Sequence, residues 1–179
     1  IERPDVVSPA LDRGRRTTVR CHVTGGQAGY SARRSDQSFV ADECGAVDPR
    51  LEELLVNGRF GDATEIALRL GSATGERMIM TNGTSELVGV PDDVLVVSAA
   101  DPGDAAIHDV VAGKTWRVSA HSFFQTSHGG AEALVAAVGR GLGQSEGPVL
   151  DLYAGVGLLG GGAASDRVRC AVESNPSSV

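Results

Sequence analysis

A short glycine-bearing turn after an apolar run constrains this chain more than any other stretch of its sequence. Residues 149–152 (VLDL) are largely apolar, residues 153–157 (YAGVG) follow, and a helix-like segment begins near Leu158. A strand, a tight turn and a helix N-terminus in this order receive ligands at the edge of an open α/β sheet. Glycine at Gly155 and Gly157 lets the backbone come close to a ligand, because no Cβ intervenes. The stretch therefore predicts an α/β unit with a ligand at the carboxyl end of its strand.

A second apolar run, residues 168–172, ends in Glu173. An acid about 20 residues past a glycine turn, at the end of the next strand, can accept hydrogen bonds from two ribose hydroxyls. The spacing D-x-x-x-G-x-G from Asp151 to Gly157 differs from the dinucleotide pattern G-x-G-x-x-G, so the loop need not cradle a phosphate. It suits an adenosine that carries a positively charged amino-acid tail, which is S-adenosylmethionine. On this stretch alone, an ordinary βα turn remains the alternative interpretation.

Sequence blocks around the turn add context to it. Residues 122–125 (SFFQ) are followed by a helix, by residues 150–157 (LDLYAGVG) and by residues 172–175 (VESN). In order and spacing these blocks resemble the RNA uracil-5-methyltransferases, which methylate C5 of uridine in ribosomal and transfer RNA. The resemblance extends back to about Gly14, and it indicates that the chain is partial relative to the family. It implies S-adenosyl-L-methionine as cofactor and RNA as partner.

The resemblance also implies which residues bind the cofactor. The matching positions are Gln125, Asp151, Tyr153, Gly155, Gly157, Leu158 and Glu173. Gln125 is expected to reach the cofactor and Glu173 to hold the ribose hydroxyls; the alternatives are a surface glutamine and a solvated acid at a strand end. Asp151 is expected to orient the loop. Leu158 stands where the family often has asparagine, so any contact from it is expected through the backbone.

The chemistry that the resemblance implies is covalent catalysis, because C5 of uracil is a poor nucleophile. In the family a cysteine thiolate adds to C6, C5 attacks the sulfonium methyl group, and a general base removes the C5 proton after the base has left its stack. Both catalytic residues lie downstream of the cofactor motifs, so none is expected among these 179 residues. Cys170, inside the apolar run before Glu173, is predicted to be a buried structural cysteine.

Charge and hydropathy exclude some classes of protein. The formal charge of -7 argues against a protein that coats nucleic acid by charge alone, although a local basic groove remains compatible with it. No run reaches membrane-spanning length, and the charged start is unlike a signal peptide. Three cysteines without close pairs argue against a disulfide framework and for a reducing cytoplasm. We expect a cytoplasmic monomer that does not bind membranes.

The central part of the chain is predicted to be a mostly antiparallel sheet with at least one helix, after a lead-in over residues 1–10. β-favouring runs separated by turn residues are found at 17–24, 30–34, 38–41, 65–70, 76–81, 94–98, 107–111 and 115–119. A helix is predicted over residues 49–56, with proline near its start and Gly58 as its stop.

Two further features of the central part match the family. Four arginines cluster around the first run, at Arg13, Arg15, Arg16 and Arg20. They either touch phosphate or merely solvate an exposed strand, and the family has a similar basic strand next to the RNA. The pattern G-Y-x-x-R-R-S followed by a cysteine places Cys44 where many members have the last of four thiolates of a [4Fe–4S] cluster. The closely spaced group that supplies the other three is absent from this sequence, so no cluster is expected here and Cys44 is predicted to be a plain thiol.

The predicted architecture has two parts. Residues 1–118 form an α+β central domain with a mostly antiparallel sheet, and residues 119–179 form the first part of an α/β Rossmann-like class I S-adenosylmethionine-dependent methyltransferase domain. Ser127 is predicted to cap a helix that Gly141 and Gly143 end. The expected buried stripe of that helix is Leu134, Val135, Val138 and Leu142. Glycines 160–162 lie in the next predicted helix, where each costs roughly 1 kcal/mol, so either the segment is loose or residues are missing from it.

Three functions remain open from the sequence. The first is methylation of RNA at C5 of uridine. The second is an S-adenosylmethionine-dependent methyltransferase with a substrate other than RNA and an unrelated N-terminal sheet. The third is an RNA-binding module without catalytic activity. The SFFQ block and the block that ends at Cys44 favour the first.

Overall fold

The computed structural model describes residues 13–32, 34–35 and 37–178, so the predicted lead-in over residues 1–10 lies outside the described residues. The strands, in chain order, are β1 (Thr18–Thr24), β2 (Gln27–Ser31), β3 (Ser38–Val40), β4 (Glu65–Leu70), β5 (Arg77–Thr81), β6 (Val94–Ser98), β7 (Ala106–Val111), β8 (Lys114–Ser119), β9 (Val149–Leu152) and β10 (Val168–Val172). The helices are α1 (Pro49–Asn57), α2 (His128–Leu142) and α3 (Leu158–Ala164), and a 3₁₀ turn spans Pro176–Ser178.

Strands β1 to β6 form one sheet, the central sheet, in the order β3-β2-β1-β4-β5-β6. Its pairs are antiparallel as expected, except that β5 and β6 run parallel. The return strand β2 begins at Gln27 rather than at residue 30. Gly25 and Gly26 both have positive φ, with values of 57° and 77°, so they close a two-residue hairpin turn and the strand starts at once after it.

Helix α1 covers one face of the central sheet. The Asp48 carboxylate accepts a hydrogen bond from the Arg50 N–H at 3.0 Å, which caps the helix. Leu51, Leu54 and Leu55 are buried in one core cluster with Leu68 of β4, as the helical spacing of the leucines predicts. An apolar core therefore lies between α1 and this face of the central sheet.

A second core lies on the other face of the central sheet. Met78 and Met80 of β5 are buried there together with Val111 of the β7–β8 hairpin, Val135 of α2 and Leu158 of α3. The hairpin pairs only with itself within the described residues. The central sheet and the helices after it therefore share buried apolar surface.

Helix α2 begins and ends where the sequence predicts, but its buried face differs from the prediction. Ser127 accepts a hydrogen bond from the Gly130 N–H at 3.3 Å, and Gly143 caps the other end. Val135 is buried, but Leu134 is 41% exposed and Val138 and Leu142 are only half-buried, so the predicted buried stripe is wrong except at Val135. Ala131 is small, so α2 packs closely on the second core at that position. The buried face of the helix therefore contains residues 131 and 135.

The three consecutive glycines of α3 lie at tight contacts, so this segment is closely packed and not loose. A Cβ at Gly160 would lie 2.5 Å from the Asp151 carboxylate, and one at Gly161 would lie 2.8 Å from the Trp116 ring. At Gly162 it would lie 2.9 Å from a methyl carbon of Val135. Helix α3 thus packs closely on three neighbours, and the helix-propensity cost of its glycines is offset by these contacts.

None of the helices in the described part of the chain has the length and apolarity that a bilayer-spanning helix needs.

Candidate functional site

Strands β9 and β10 lie side by side and parallel, joined by α3. Leu150, Asp151 and Leu152 are paired with Cys170, Ala171 and Val172. The Ala154 N–H continues the ladder by donating to the Val172 carbonyl at 3.0 Å. The two strands therefore end at one edge of the pair, where ligands of open α/β sheets bind. The parallel pairing confirms the arrangement predicted from the two apolar runs.

The turn after β9 leaves the ordinary backbone regions at three positions. Tyr153, Gly155 and Gly157 have φ values of 59°, 57° and 81°. Tyr153 is the one residue of the three that carries a side chain, and a left-handed conformation is uncommon for an aromatic residue. Its ring is 92% exposed. The turn thus holds an exposed aromatic ring beside two glycines at the edge where both strands end.

Glu173 connects the carboxyl ends of the two strands. Its Oε1 accepts a hydrogen bond from the Asn175 N–H at 2.7 Å, and its Oε2 accepts one from the Gly155 N–H at 2.7 Å. These backbone hydrogen bonds, from Asn175 first and Gly155 second, lower the pKa of the Glu173 carboxyl below its usual value. A carboxylate has about four lone-pair sites, so acceptor capacity remains on both oxygens. The half-buried Glu173 therefore fixes the loop and still presents an ionised acceptor.

Asp151 and Leu158 act on the helix that follows the turn. The Asp151 Oδ2 accepts a hydrogen bond from the Gly160 N–H at 3.0 Å, which satisfies a donor in the first turn of α3. Leu158 is 5% exposed, with its side chain in the second core. Asp151 therefore orients the loop and helix, and the Leu158 side chain is occupied by packing.

The SFFQ block lies next to the glycine turn although about 30 residues separate them. A Cβ on Gly155 would lie 3.6 Å from the Phe123 carbonyl oxygen. Phe124 is buried in the second core, Phe123 is 63% exposed, and Gln125 is half-buried. The structure therefore brings the segment that carries Gln125 to the same edge as Glu173.

The three cysteines have different surroundings. Cys170 is exposed, so the prediction of a buried cysteine is wrong. The reason is that β9 and β10 pair only with each other among the described residues, and the face that carries Cys170 is uncovered there. Cys44 is a free, half-buried thiol that accepts a hydrogen bond from the Tyr30 hydroxyl at 3.5 Å. Burial raises the pKa of the Cys21 thiol to about 11. In the described part of the chain, no three metal-ligating side chains converge.

Two residues of this region were not singled out from the sequence as parts of the site. Arg69, the last residue but one of β4, donates to the carbonyls of Ser119 and Ser122 at 3.1 and 2.7 Å. The Asn175 side chain donates to the His121 carbonyl at 2.9 Å. The available signal for Arg69 was a charged residue between apolar residues, 66–68 on one side and Leu70 on the other. Asn175 ends the VESN block, but the sequence assigned no role to its side chain.

Comparisons with known proteins find relatives over most of the chain. No family model matches it. The chain is 31% identical over 168 residues to an uncharacterized RNA methyltransferase of Streptomyces coelicolor. This alignment covers 86% of the chain and 36% of that protein. An uncharacterized RNA methyltransferase of Streptomyces avermitilis is also 31% identical over 169 residues, covering 86% of this chain and 39% of the relative. The chain thus spans less than half of the length of the curated relatives it matches.

Among solved structures, the fold is similar to that of a Pyrococcus abyssi tRNA (uracil-54, C5)-methyltransferase in complex with S-adenosyl-L-homocysteine. The TM-score is 0.69 at 20% sequence identity, and the match covers 97% of this chain and 52% of that chain. At this identity the match concerns the fold. The motif blocks, the identity to the curated relatives and the fold therefore agree that the chain is related to RNA methyltransferases over most of its length.

Proposed function

We propose that this chain is part of an S-adenosyl-L-methionine-dependent methyltransferase that acts on C5 of a uridine in RNA. In this proposal residues 1–118 are the central domain, and residues 119–179 begin a Rossmann-like domain that binds the cofactor. The observation that carries the proposal is the parallel pair β9–β10, with Glu173 at the end of β10 bonded at 2.7 Å to the Gly155 N–H after β9. Such an edge is where adenosine ligands bind in α/β sheets.

The residues at this edge fit the proposed cofactor. The ionised Glu173 can accept hydrogen bonds from the ribose hydroxyls while it keeps its two backbone donors. The exposed Tyr153 ring offers an apolar surface to the cofactor. Gly157 has no atoms near the position of a Cβ, which leaves the backbone there open to a ligand. Gln125 would reach the cofactor from the neighbouring segment. When bound, the cofactor supplies an electrophilic methyl group on a sulfonium centre.

The substrate and mechanism follow the family that the sequence resembles. A uracil ring needs a nucleophile at C6 before C5 can accept a methyl group, and we propose that a cysteine and a general base outside these 179 residues provide this chemistry. Two of the three cysteines of the chain do not fit the role. Cys21 is buried with its pKa raised to about 11, and Cys170 lies in mid-strand, away from the edge where Glu173 lies. This chain's part is to bind the cofactor and to present the RNA.

The cofactor site can be tested by calorimetry with S-adenosyl-L-homocysteine on the longest protein whose reading frame contains this chain. Glu173→Gln retains one oxygen acceptor and loses the charge, so the affinity should fall on the order of tenfold. Glu146→Gln, a matched change at an exposed loop acid, should leave it unaltered. Equal affinity of the Glu173→Gln variant and the wild-type protein would refute the assignment of Glu173.

The reaction itself can be tested with RNA and a cofactor that carries an isotopically labelled methyl group. Nucleoside analysis by mass spectrometry should find the label in 5-methyluridine. Label in another nucleoside or in a non-RNA substrate would favour a different methyltransferase. Cofactor binding absent in the complete protein, with RNA binding present, would favour the non-catalytic RNA-binding module.

A further inference from the structure

Helix α3 begins directly at the end of the glycine turn, but its own sequence does not fix its position. It has seven residues, three of them glycine, and its N-cap Gly157 makes no side-chain capping hydrogen bond. A helix of this length is marginal without tertiary contacts, and internal glycines weaken it further. The Gly161 N–H donates to the Gly157 carbonyl at 2.8 Å, so one hydrogen bond joins Gly161 to the turn. The position of the turn therefore depends on what holds α3 at Gly161.

Two side chains of β8 hold α3 at Gly161. The Lys114 Nζ donates to the Gly161 carbonyl at 2.6 Å, and the Trp116 ring lies 2.8 Å from the position that a Gly161 Cβ would occupy. The last four carbonyls of a helix have no partner inside it, and a cation near that end is favourable. The Trp116 Nε1 donates to the Val111 carbonyl at 3.0 Å, which fixes the ring against the helix. Lys114 therefore bonds to the helix at the same residue on which Trp116 packs.

The β7–β8 hairpin that carries these two side chains is itself held at both ends. At its tip, the Ala112 N–H donates to the Glu132 Oε1 of α2 at 2.8 Å. At its base, the buried Asp109 carboxylate accepts a hydrogen bond at 2.9 Å from the Ala73 N–H, in the turn after β4. The hairpin is thus anchored to the central sheet and to α2, and it provides a fixed support for α3.

We propose that Trp116 and Lys114 are positioning residues for the cofactor site: they hold α3 so that the glycine turn keeps the shape that binds the cofactor. The inference deepens the proposed function and rests on it. Both side chains act at Gly161, which lies about 6 Å along the helix from Gly157 at the usual rise per residue. Their effect therefore reaches the cofactor through the helix. Residues that support a binding site in this way determine its affinity, because small displacements of a preorganised site are costly.

The test is calorimetry of S-adenosyl-L-homocysteine binding to the complete protein. Trp116→Ala removes the ring from α3 and should weaken binding on the order of tenfold. Lys114→Met removes one hydrogen bond and should weaken binding less, whereas Lys114→Arg still carries a donor and should bind nearly as well as the wild type. Arg117→Met is the matched control, because Arg117 lies on the same strand but donates to the Asp104 carbonyl, at 2.7 Å. This variant should keep the wild-type affinity.

Tryptophan fluorescence gives a readout that a merely structural role would not change. Trp116 is the single tryptophan of these 179 residues, so the difference in emission between the wild-type protein and Trp116→Phe isolates its signal. This signal should change as S-adenosyl-L-homocysteine is added and should saturate with the dissociation constant found by calorimetry. In the methylation reaction, Lys114→Met should raise the KM for the cofactor and leave the KM for RNA unaltered.

The same variants distinguish failure of the inference from failure of the proposed function. Wild-type cofactor affinity in both Trp116→Ala and Lys114→Met, in a protein that Glu173→Gln weakens, would overturn the inference and leave the proposed function standing. A lower melting temperature with unaltered cofactor affinity and no fluorescence change would show a purely structural hairpin, which also overturns it. Lys114 is exposed, so its variant tests the inference even if Trp116→Ala fails to fold. A wild-type protein that binds no S-adenosyl-L-homocysteine would overturn both proposals.

Discussion

Replacing Gly162 with alanine should destabilise the protein, although alanine is the better helix former. A Cβ at Gly162 would lie 2.9 and 3.0 Å from the two γ-methyl carbons of Val135 in α2. Carbon atoms prefer separations of about 3.5–4.0 Å, so the contact is repulsive. Val135 is 5% exposed, and a valine in a helix has one strongly preferred rotamer. The side chain cannot turn away, and helices α2 and α3 must move apart.

The size of the effect follows from two opposing contributions. Alanine for glycine inside a helix stabilises by about 1 kcal/mol, whereas one extra carbon in a packed core costs about 1–3 kcal/mol. Because both methyl groups of Val135 are approached at once, we place the cost near the upper end of that range. The expected net loss is about 1–2 kcal/mol in the free energy of unfolding, which lowers the melting temperature of a domain of this size by several degrees.

The assay is urea unfolding followed by far-ultraviolet circular dichroism. Gly139→Ala is the matched control, since Gly139 lies in α2 with no atom within 4 Å of its Cβ position. That variant should be stabilised by up to about 1 kcal/mol. Adding Val135→Ala to Gly162→Ala makes room for the new methyl group, so the two changes should cost less together than the sum of their separate costs. Equal stability of Gly162→Ala and Gly139→Ala would refute the packing argument.

Two further predictions concern a helix cap and the thiols. Asp48→Ala should cost about 1 kcal/mol at pH 7 in urea unfolding. Burial alone would raise the pKa of Asp48, but hydrogen bonds from the Arg50 side chain and backbone and the charge of Arg50 outweigh it and lower the pKa. The cost should therefore be present above about pH 4 and shrink as the pH falls through the lowered value, and a pH-independent cost would contradict this account. In the folded 179-residue chain at pH 8, iodoacetamide should modify the exposed Cys170 and spare the buried Cys21, as peptide mass spectrometry can measure; equal modification would be inconsistent with their burial.

The elements that local sequence predicts well are those whose two ends carry turn or cap residues. Strands β4, β6, β9 and β10 have the predicted bounds, and α2 is capped by Ser127 and Gly143 as expected. The parallel pairing of β9 with β10 also follows from sequence, because a strand, a helix and a second strand in close succession favour a parallel crossover. The sequence alone therefore locates the edge that carries Glu173 and Gly155.

What sequence could not supply is the identity of the surfaces that cover each face. Cys170 sits in an apolar run that predicts burial, but no element of the described chain covers its face of the sheet. Leu134 fits the helical spacing of a buried stripe. However, α2 packs on its neighbours through Ala131, and Leu134 faces outward. The three glycines of α3 suggested looseness, because the contacts that require them come from residues distant in sequence. Each difference concerns tertiary packing, which propensity and periodicity do not report.

The segment 119–126 connects the central sheet to the edge at which the cofactor is proposed to bind. The Thr126 carbonyl accepts a hydrogen bond from the Thr17 N–H at 2.8 Å, and Arg69 of β4 holds two carbonyls of the same segment. On its other side, Asn175 bonds to His121, and the Phe123 carbonyl lies beside Gly155. The position of the SFFQ block relative to the glycine turn is therefore set by the central sheet as well as by the β9–β10 pair. A displacement of the central sheet would therefore move this block, and Gln125 with it, away from Gly155 and the proposed cofactor edge.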